Sequence, residues 1–161
     1  YAIRLFARTG KRLKVVGDGP ERRRLRSLAG SSIEFCGRVS DTELRDLYAT
    51  CRALIEPGEE AFGLTMVEGL ARGKPVVALG RGGSPEIVGG GCGVLYGEPT
   101  ESALQAALTR LESCSFKENR MQAAATRFSE SEFVRRMQVV LESSAEASVD
   151  SANCDKSLAS A

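Results

Sequence analysis

Two glutamates, Glu60 and Glu68, bracket the stretch "EAFGLTMVE". Their carboxylates can accept hydrogen bonds from ligand hydroxyls, and the residues between them read as the start of a helix running from about Gly63 to Arg72. The backbone amides of roughly Phe62 to Thr65 are then the unpaired donors of a helix N-terminus, where the helix dipole favours an anion such as phosphate. Gly63 is expected to let that anion come close to the main chain. At roughly 100° per residue, Leu64, Val67 and Ala71 share one arc, widened by Met66 and Leu70. Glu68 falls only about 40° from Leu64, at the edge of the predicted buried face. A carboxylate there costs free energy unless it meets donors. The arrangement suits a diphosphate with a sugar on one side and a ribose on the other. A plainer reading stands beside it: Glu60 complements the dipole and Glu68 pairs with Arg72 one turn on. The two glutamates alone favour the plainer reading.

The surrounding chain alternates short apolar runs with helical patterns. "RLKVVG" (12–17), "SIEFCG" (32–37), "ALIEP" (53–57), "KPVVALG" (74–80) and "GCGVLYG" (91–97) read as strands. Between them "ERRRLRSLAG" is a short helix with Gly30 as its stop signal. "SDTELRDLYATC" is a second, with Ser40 or Asp41 as the N-cap and Glu43 two or three residues on. A short helix is expected near Ser84–Pro85, because proline is favoured in a first turn. "ESALQAALTRLES" is an amphipathic helix, and helical stretches around 117–127 and 131–142 follow. Strand–helix alternation with continuous apolar strands predicts an α/β fold, a Rossmann-like parallel sheet covered by helices on both faces. In such sheets ligands bind at the carboxyl ends of strands. Residues 1–142 form the expected domain, and 143–161 are small, polar and aperiodic, which predicts a disordered tail.

Composition narrows the chemistry. The 22 basic and 21 acidic residues balance to +1, so bulk charge does not point to nucleic acid or a membrane. No histidine is present, which removes Ser–His–Asp and Cys–His nucleophiles. The five cysteines are widely spaced without a C-x-x-C pair, so no metal site is expected. Cys36 and Cys92 sit in apolar contexts and are expected as reduced core thiols of a cytoplasmic protein. No signal peptide or membrane-spanning apolar run is legible. "GDGPER" matches half of a dinucleotide fingerprint, with Arg22 in place of the third glycine, and serves equally well as a tight turn. "GLARGKP" lacks the spacing and the hydroxyl of a phosphate-binding P-loop. The opening "YAIRLFARTG", without methionine and inside an amphipathic pattern, leads to the expectation of a longer parent chain.

Five segments in register carry a resemblance: "VGDGPE" (16–21), "FCGRV" (35–39), "EAFGLTMVEGLARGKPVVA" (60–78), "GGSPEIV" (82–88) and "GCGVLYGEP" (91–99). Together they resemble the carboxyl-terminal, donor-binding half of the retaining GT-B glycosyltransferases of family 4. The resemblance implies transfer of a sugar from a nucleoside diphosphate sugar to an acceptor hydroxyl, with retained anomeric configuration. It places Glu60 at the donor-sugar hydroxyls near the reacting carbon. Phe62, Gly63, Leu64 and Thr65 would bind the donor phosphates, Glu68 the ribose hydroxyls, and the main chain at Val39 the base. Asp41 lies near that base site, with capping as its expected job. Glu59 adjoins Glu60, but only Glu60 has Phe-Gly at the matching offset. The nucleotide sugar is a substrate, and neither a cofactor nor a metal is implied. The family's phosphate-clamping arginine and lysine, and its amino-terminal acceptor domain, would precede Tyr1. The piece alone is therefore expected to be inactive, with any membrane contact made through that other domain. A nucleotide-sugar epimerase of the same fold and a non-catalytic nucleotide-binding module remain as alternatives.

Overall fold

A computed structural model describes residues 1–143. Helix α1 (Ala2–Thr9) is followed by β1 (Leu13–Val16), α2 (Arg22–Ser27), β2 (Ile33–Gly37), α3 (Asp41–Thr50) and β3 (Leu54–Glu56). Then come α4 (Leu64–Ala71), β4 (Val76–Leu79), α5 (Ser84–Val88), β5 (Gly93–Tyr96), α6 (Glu101–Ser113) and α7 (Glu118–Thr126). A last helix, α8, covers 130–143. The chain divides into two compact units, Tyr1–Ala125 and the segment from Thr126 onward. The expected tail lies outside the described residues. No helix among those residues is long and apolar enough to cross a membrane.

Every strand pairing is parallel, as the buried apolar strands predict. The strands form two sheets rather than one: β1 pairs with β2, and β3, β4 and β5 run side by side in that order. Both sheets feed one core. Ile3, Leu5 and Phe6 of α1 pack with Ile33 of β2, Val77 and Leu79 of β4, Val94 and Tyr96 of β5, and the apolar stripe Leu104, Ala107, Leu108 and Leu111 of α6. All four residues of β4 are buried, so the strand after the glutamate segment is the centre of its sheet.

Local signals end the helices nearly where expected. Ser40 caps α3: its hydroxyl accepts from the Glu43 amide, and the Glu43 carboxylate accepts from the Ser40 amide, a reciprocal pair. That settles the choice between Ser40 and Asp41. Asp41 is the first helical residue, so it does not cap. Gly30 is not a helix stop. Helix α2 closes at Leu28 in right-handed geometry, and Gly30 follows it, packed beside Ala7 of α1 with ordinary contact distances. Cys92 is buried as expected. Cys36 is only partly buried, because it sits on the flank of β2 with its thiol toward the Glu34 carboxylate at 3.8 Å.

Candidate functional site

The glutamate segment leaves β3, crosses a loop and enters α4. Gly63 is the N-cap residue, with φ 84° and ψ 47°, a left-handed conformation that a side chain resists. A Cβ there would stand 2.2 Å from the Met66 methyl and 3.1 Å from Ile87 Cδ1. Gly63 is therefore buried, and its missing side chain makes room for the seam between α4 and α5 rather than for an approaching anion. The amides next to it are available. Met66 and Val67 donate back to the Gly63 carbonyl, whereas no acceptor is present for Leu64 or Thr65 among the described residues. Leu64 is 65% exposed and Phe62 is 55% exposed, so this helix end opens outward.

The buried side of α4 differs in phase from the predicted arc. Met66 and Leu70, which widen the predicted arc, face the core as expected and are joined by Gly69, while Leu64 and Ala71 face solvent and Val67 is half-buried. Gly69 lies on this buried side, where a Cβ would stand 3.2 Å from the Leu54 side chain of β3. A glycine adds nothing to an apolar pattern, yet Gly69 is buried against β3 with Met66 and Leu70. Glu68 accordingly stands with Leu64 and Thr65 on the exposed side, not at the rim of the core.

Glu68 has a partner that sequence spacing does not suggest. The Tyr48 hydroxyl of α3 donates to Glu68 Oε2 at 3.1 Å and lies 3.4 Å from the Thr65 carbonyl. No Glu68–Arg72 ion pair forms among the described residues, so the surface-pair alternative does not hold. Burial raises the Tyr48 phenol well above its ordinary range, and the adjacent Glu68 carboxylate adds to the effect. Tyr48 is thus a protonated donor.

Glu60 is exposed, and its main chain is held by the turn after β4. The Gly83 amide donates to the Glu60 carbonyl at 2.8 Å, and Glu60 and Gly82 form an isolated parallel bridge. Gly82 has φ 59°, and a Cβ on it would fall 2.3 Å from the Glu60 carbonyl oxygen. A Cβ on Gly83 would fall 2.8 Å from the Ala61 carbonyl. The pair Gly82–Gly83 lets one loop lie flat on the other and sets where Glu60 leaves the sheet. Glu56, at the end of β3, belongs to no motif in the sequence. Burial raises its carboxyl pKa, the Gly58 amide opposes that, and the charge of Glu60 raises it further. Two acids therefore share this mouth.

Val39 lies apart from α4. It lines a hollow of about 370 Å³ with Lys14, Glu34, Cys36, Glu43 and Leu47, between the β1–β2 sheet and α3. Tyr48 is rotated well away from Glu43 and Leu47 around the same helix, so α3 joins the Val39 hollow to the Glu68 carboxylate. A larger hollow, of about 740 Å³, lies between α1 and the start of α6 and contains none of the predicted site residues. Among the described residues no cluster of acids and cysteines could hold a metal ion.

The family profile described as glycosyl transferases group 1 matches residues 2–113. A GDP-mannose-dependent alpha-mannosyltransferase of Mycolicibacterium smegmatis is 36% identical over 111 residues, which is 66% of this chain and 29% of that protein. A sulfoquinovosyl transferase of Arabidopsis thaliana is 37% identical over 79 residues, 48% of this chain and 16% of that protein. This chain thus spans less than a third of either relative. Among solved structures, Anabaena HepE in complex with UDP and glucose superposes with a TM-score of 0.67 at 26% identity, covering 88% of this chain and 44% of that one. Sucrose-phosphate synthase of Thermosynechococcus elongatus gives 0.74 at 22% identity, covering 91% and 42%, and shows the fold alone.

Proposed function

The chain belongs to the group 1 glycosyltransferases, of GT-B family-4 type, and we propose that it is the half that binds a nucleoside diphosphate sugar for transfer to an acceptor hydroxyl with retained configuration. The observation that carries this reading is the exposed side of α4: two amides without acceptors, at Leu64 and Thr65, followed one turn later by the Glu68 carboxylate.

The diphosphate of the donor is the leaving group, and its charge grows as the glycosidic bond breaks. Fixed N–H donors at a helix N-terminus stabilise that charge without reorganising at the moment of reaction. Glu68 accepts from the ribose hydroxyls. Glu60, steered by the Gly82–Gly83 loop, accepts from the hydroxyls of the transferred sugar and orients its reacting carbon. The main chain beyond β2, at Val39, meets the base. No metal enters the scheme, and an amino-terminal acceptor domain of the same protein closes the cleft and excludes water. By itself the chain binds donor without turning it over. The cytoplasm is the compartment in which nucleotide sugars would reach it. GDP and UDP are the natural probes, since a similar protein uses GDP-mannose and HepE was crystallised with UDP.

The test is titration calorimetry of the chain with GDP and with UDP. One of them should bind, and Glu68→Ala should weaken it about tenfold or more, as expected for a lost charge-assisted hydrogen bond. Unchanged binding in that variant would favour a nucleotide module whose glycines serve only its turns.

A further inference from the structure

We infer that Tyr48 is a positioning residue that orients Glu68 toward the ribose and thereby sets the preference for a ribonucleotide. The inference rests on the assignment of Glu68 to the ribose given above.

Tyr48 is 6% exposed, and a phenol at that depth needs a hydrogen-bond partner. Two acceptors lie within reach, Glu68 Oε2 at 3.1 Å and the Thr65 carbonyl at 3.4 Å. The hydroxyl has one proton, and the nearer, ionised acceptor takes it. The ring is the buried residue of α3, and its hydroxyl reaches α4.

Consider Glu68 without that bond. It is a long, exposed side chain with three rotatable bonds, and Arg72 stands one turn on as an i,i+4 partner. Ordering such a side chain on ligand binding carries an entropic cost. The Tyr48 hydroxyl removes most of that freedom beforehand. It anchors Oε2 and leaves Oε1, with the remaining lone pair of Oε2, to accept from two neighbouring hydroxyls. A vicinal diol is the group that presents two donors at that spacing. Tyr48 also contacts the Thr65 carbonyl, so one buried ring ties the carboxylate to the turn that carries the free amides. Helix α3 begins beside Val39 under its capping pair, and its length makes a rigid spacer between the base contact and the ribose contact.

The experiment compares GDP and UDP with their 2′,3′-dideoxy forms, by calorimetry on the wild-type chain, Glu68→Ala, Tyr48→Phe and the double variant. The wild-type chain should prefer the ribonucleotide, and Glu68→Ala should lose that preference. Tyr48→Phe should lower ribonucleotide affinity about tenfold while leaving dideoxynucleotide affinity unchanged, with the double variant no weaker than Glu68→Ala. If Tyr48→Phe keeps the full preference, or weakens both forms alike, the inference is overturned while the Glu68 assignment stands. If Glu68→Ala itself keeps the preference, or the wild-type chain binds neither nucleotide, the underlying reading falls first. Should Tyr48→Phe fail to fold, the chain labelled with 3-fluorotyrosine supplies a second measurement. It has three tyrosines, so the Tyr48 fluorine resonance can be assigned, and it must move on Glu68→Gln. A resonance that stays in place overturns the inference.

Discussion

Replacing Gly82 by alanine tests whether the glycine pair after β4 sets the Glu60 loop. The new Cβ would lie 2.3 Å from the Glu60 carbonyl oxygen, so one of the two loops must retreat by about 1 Å to reach an ordinary contact. That retreat breaks the bond from the Gly83 amide to the same oxygen, a contribution of about 1 kcal/mol. The φ of 59° adds about 1 to 2 kcal/mol for any residue with a side chain. The sum is about 2 to 3 kcal/mol. Gly90 supplies the control. Its φ is 71°, and a Cβ added to it would meet nothing within 4 Å, so Gly90→Ala should cost only the backbone part, about 1 to 2 kcal/mol. Urea unfolding of the two variants isolates the collision as the difference between them. Nucleotide-sugar titration then reads its consequence. A displacement of about 1 Å carries a hydrogen bond out of range, and the loss of one bond to a charged group weakens binding about ten- to a hundredfold. The loss should appear in Gly82→Ala and not in Gly90→Ala. Equal stabilities, or donor binding unharmed by Gly82→Ala, would refute the claim that this contact steers Glu60.

Other consequences are more direct. Leu70, fully buried where α4 meets the sheet, should cost about 2 to 5 kcal/mol as Leu70→Ala in chemical denaturation, and donor binding should fall with it as the helix loosens. Glu56 gives a pH dependence with a definite sign. Its folded pKa lies above the unfolded value, so the fold disfavours its ionised form. The penalty is absent below the unfolded carboxylate range and develops as pH rises through the folded pKa. Glu56→Gln should therefore raise Tm at about pH 8 and converge with wild type near about pH 3. A lower Tm for the variant at the higher pH would reverse that assignment.

Much of this protein is local and hence written in its sequence. Strands such as "PVVAL" are apolar throughout because both faces are covered, and Ser40 with Glu43 starts α3 through bonds that span three residues. The motif order from Val16 to Pro99 was enough to point to the family whose profile the chain matches. Other features depend on residues distant in sequence. Periodicity found Met66 and Leu70 on the buried side of α4 but also put Leu64 and Ala71 there. It left out Gly69, which carries no apolar signal and lies against Leu54 of β3. Gly63 was expected to open the main chain to an anion, yet its space is taken by Met66 and Ile87, from one turn on and from another helix. Glu68 offered Arg72 as a partner at helical spacing and instead bonds Tyr48, twenty residues earlier. Sequence alone determined which acids and amides stand on this helix, because a helix repeats over four residues. Tertiary structure decided what touches them, because packing brings together side chains and backbones that no local period connects.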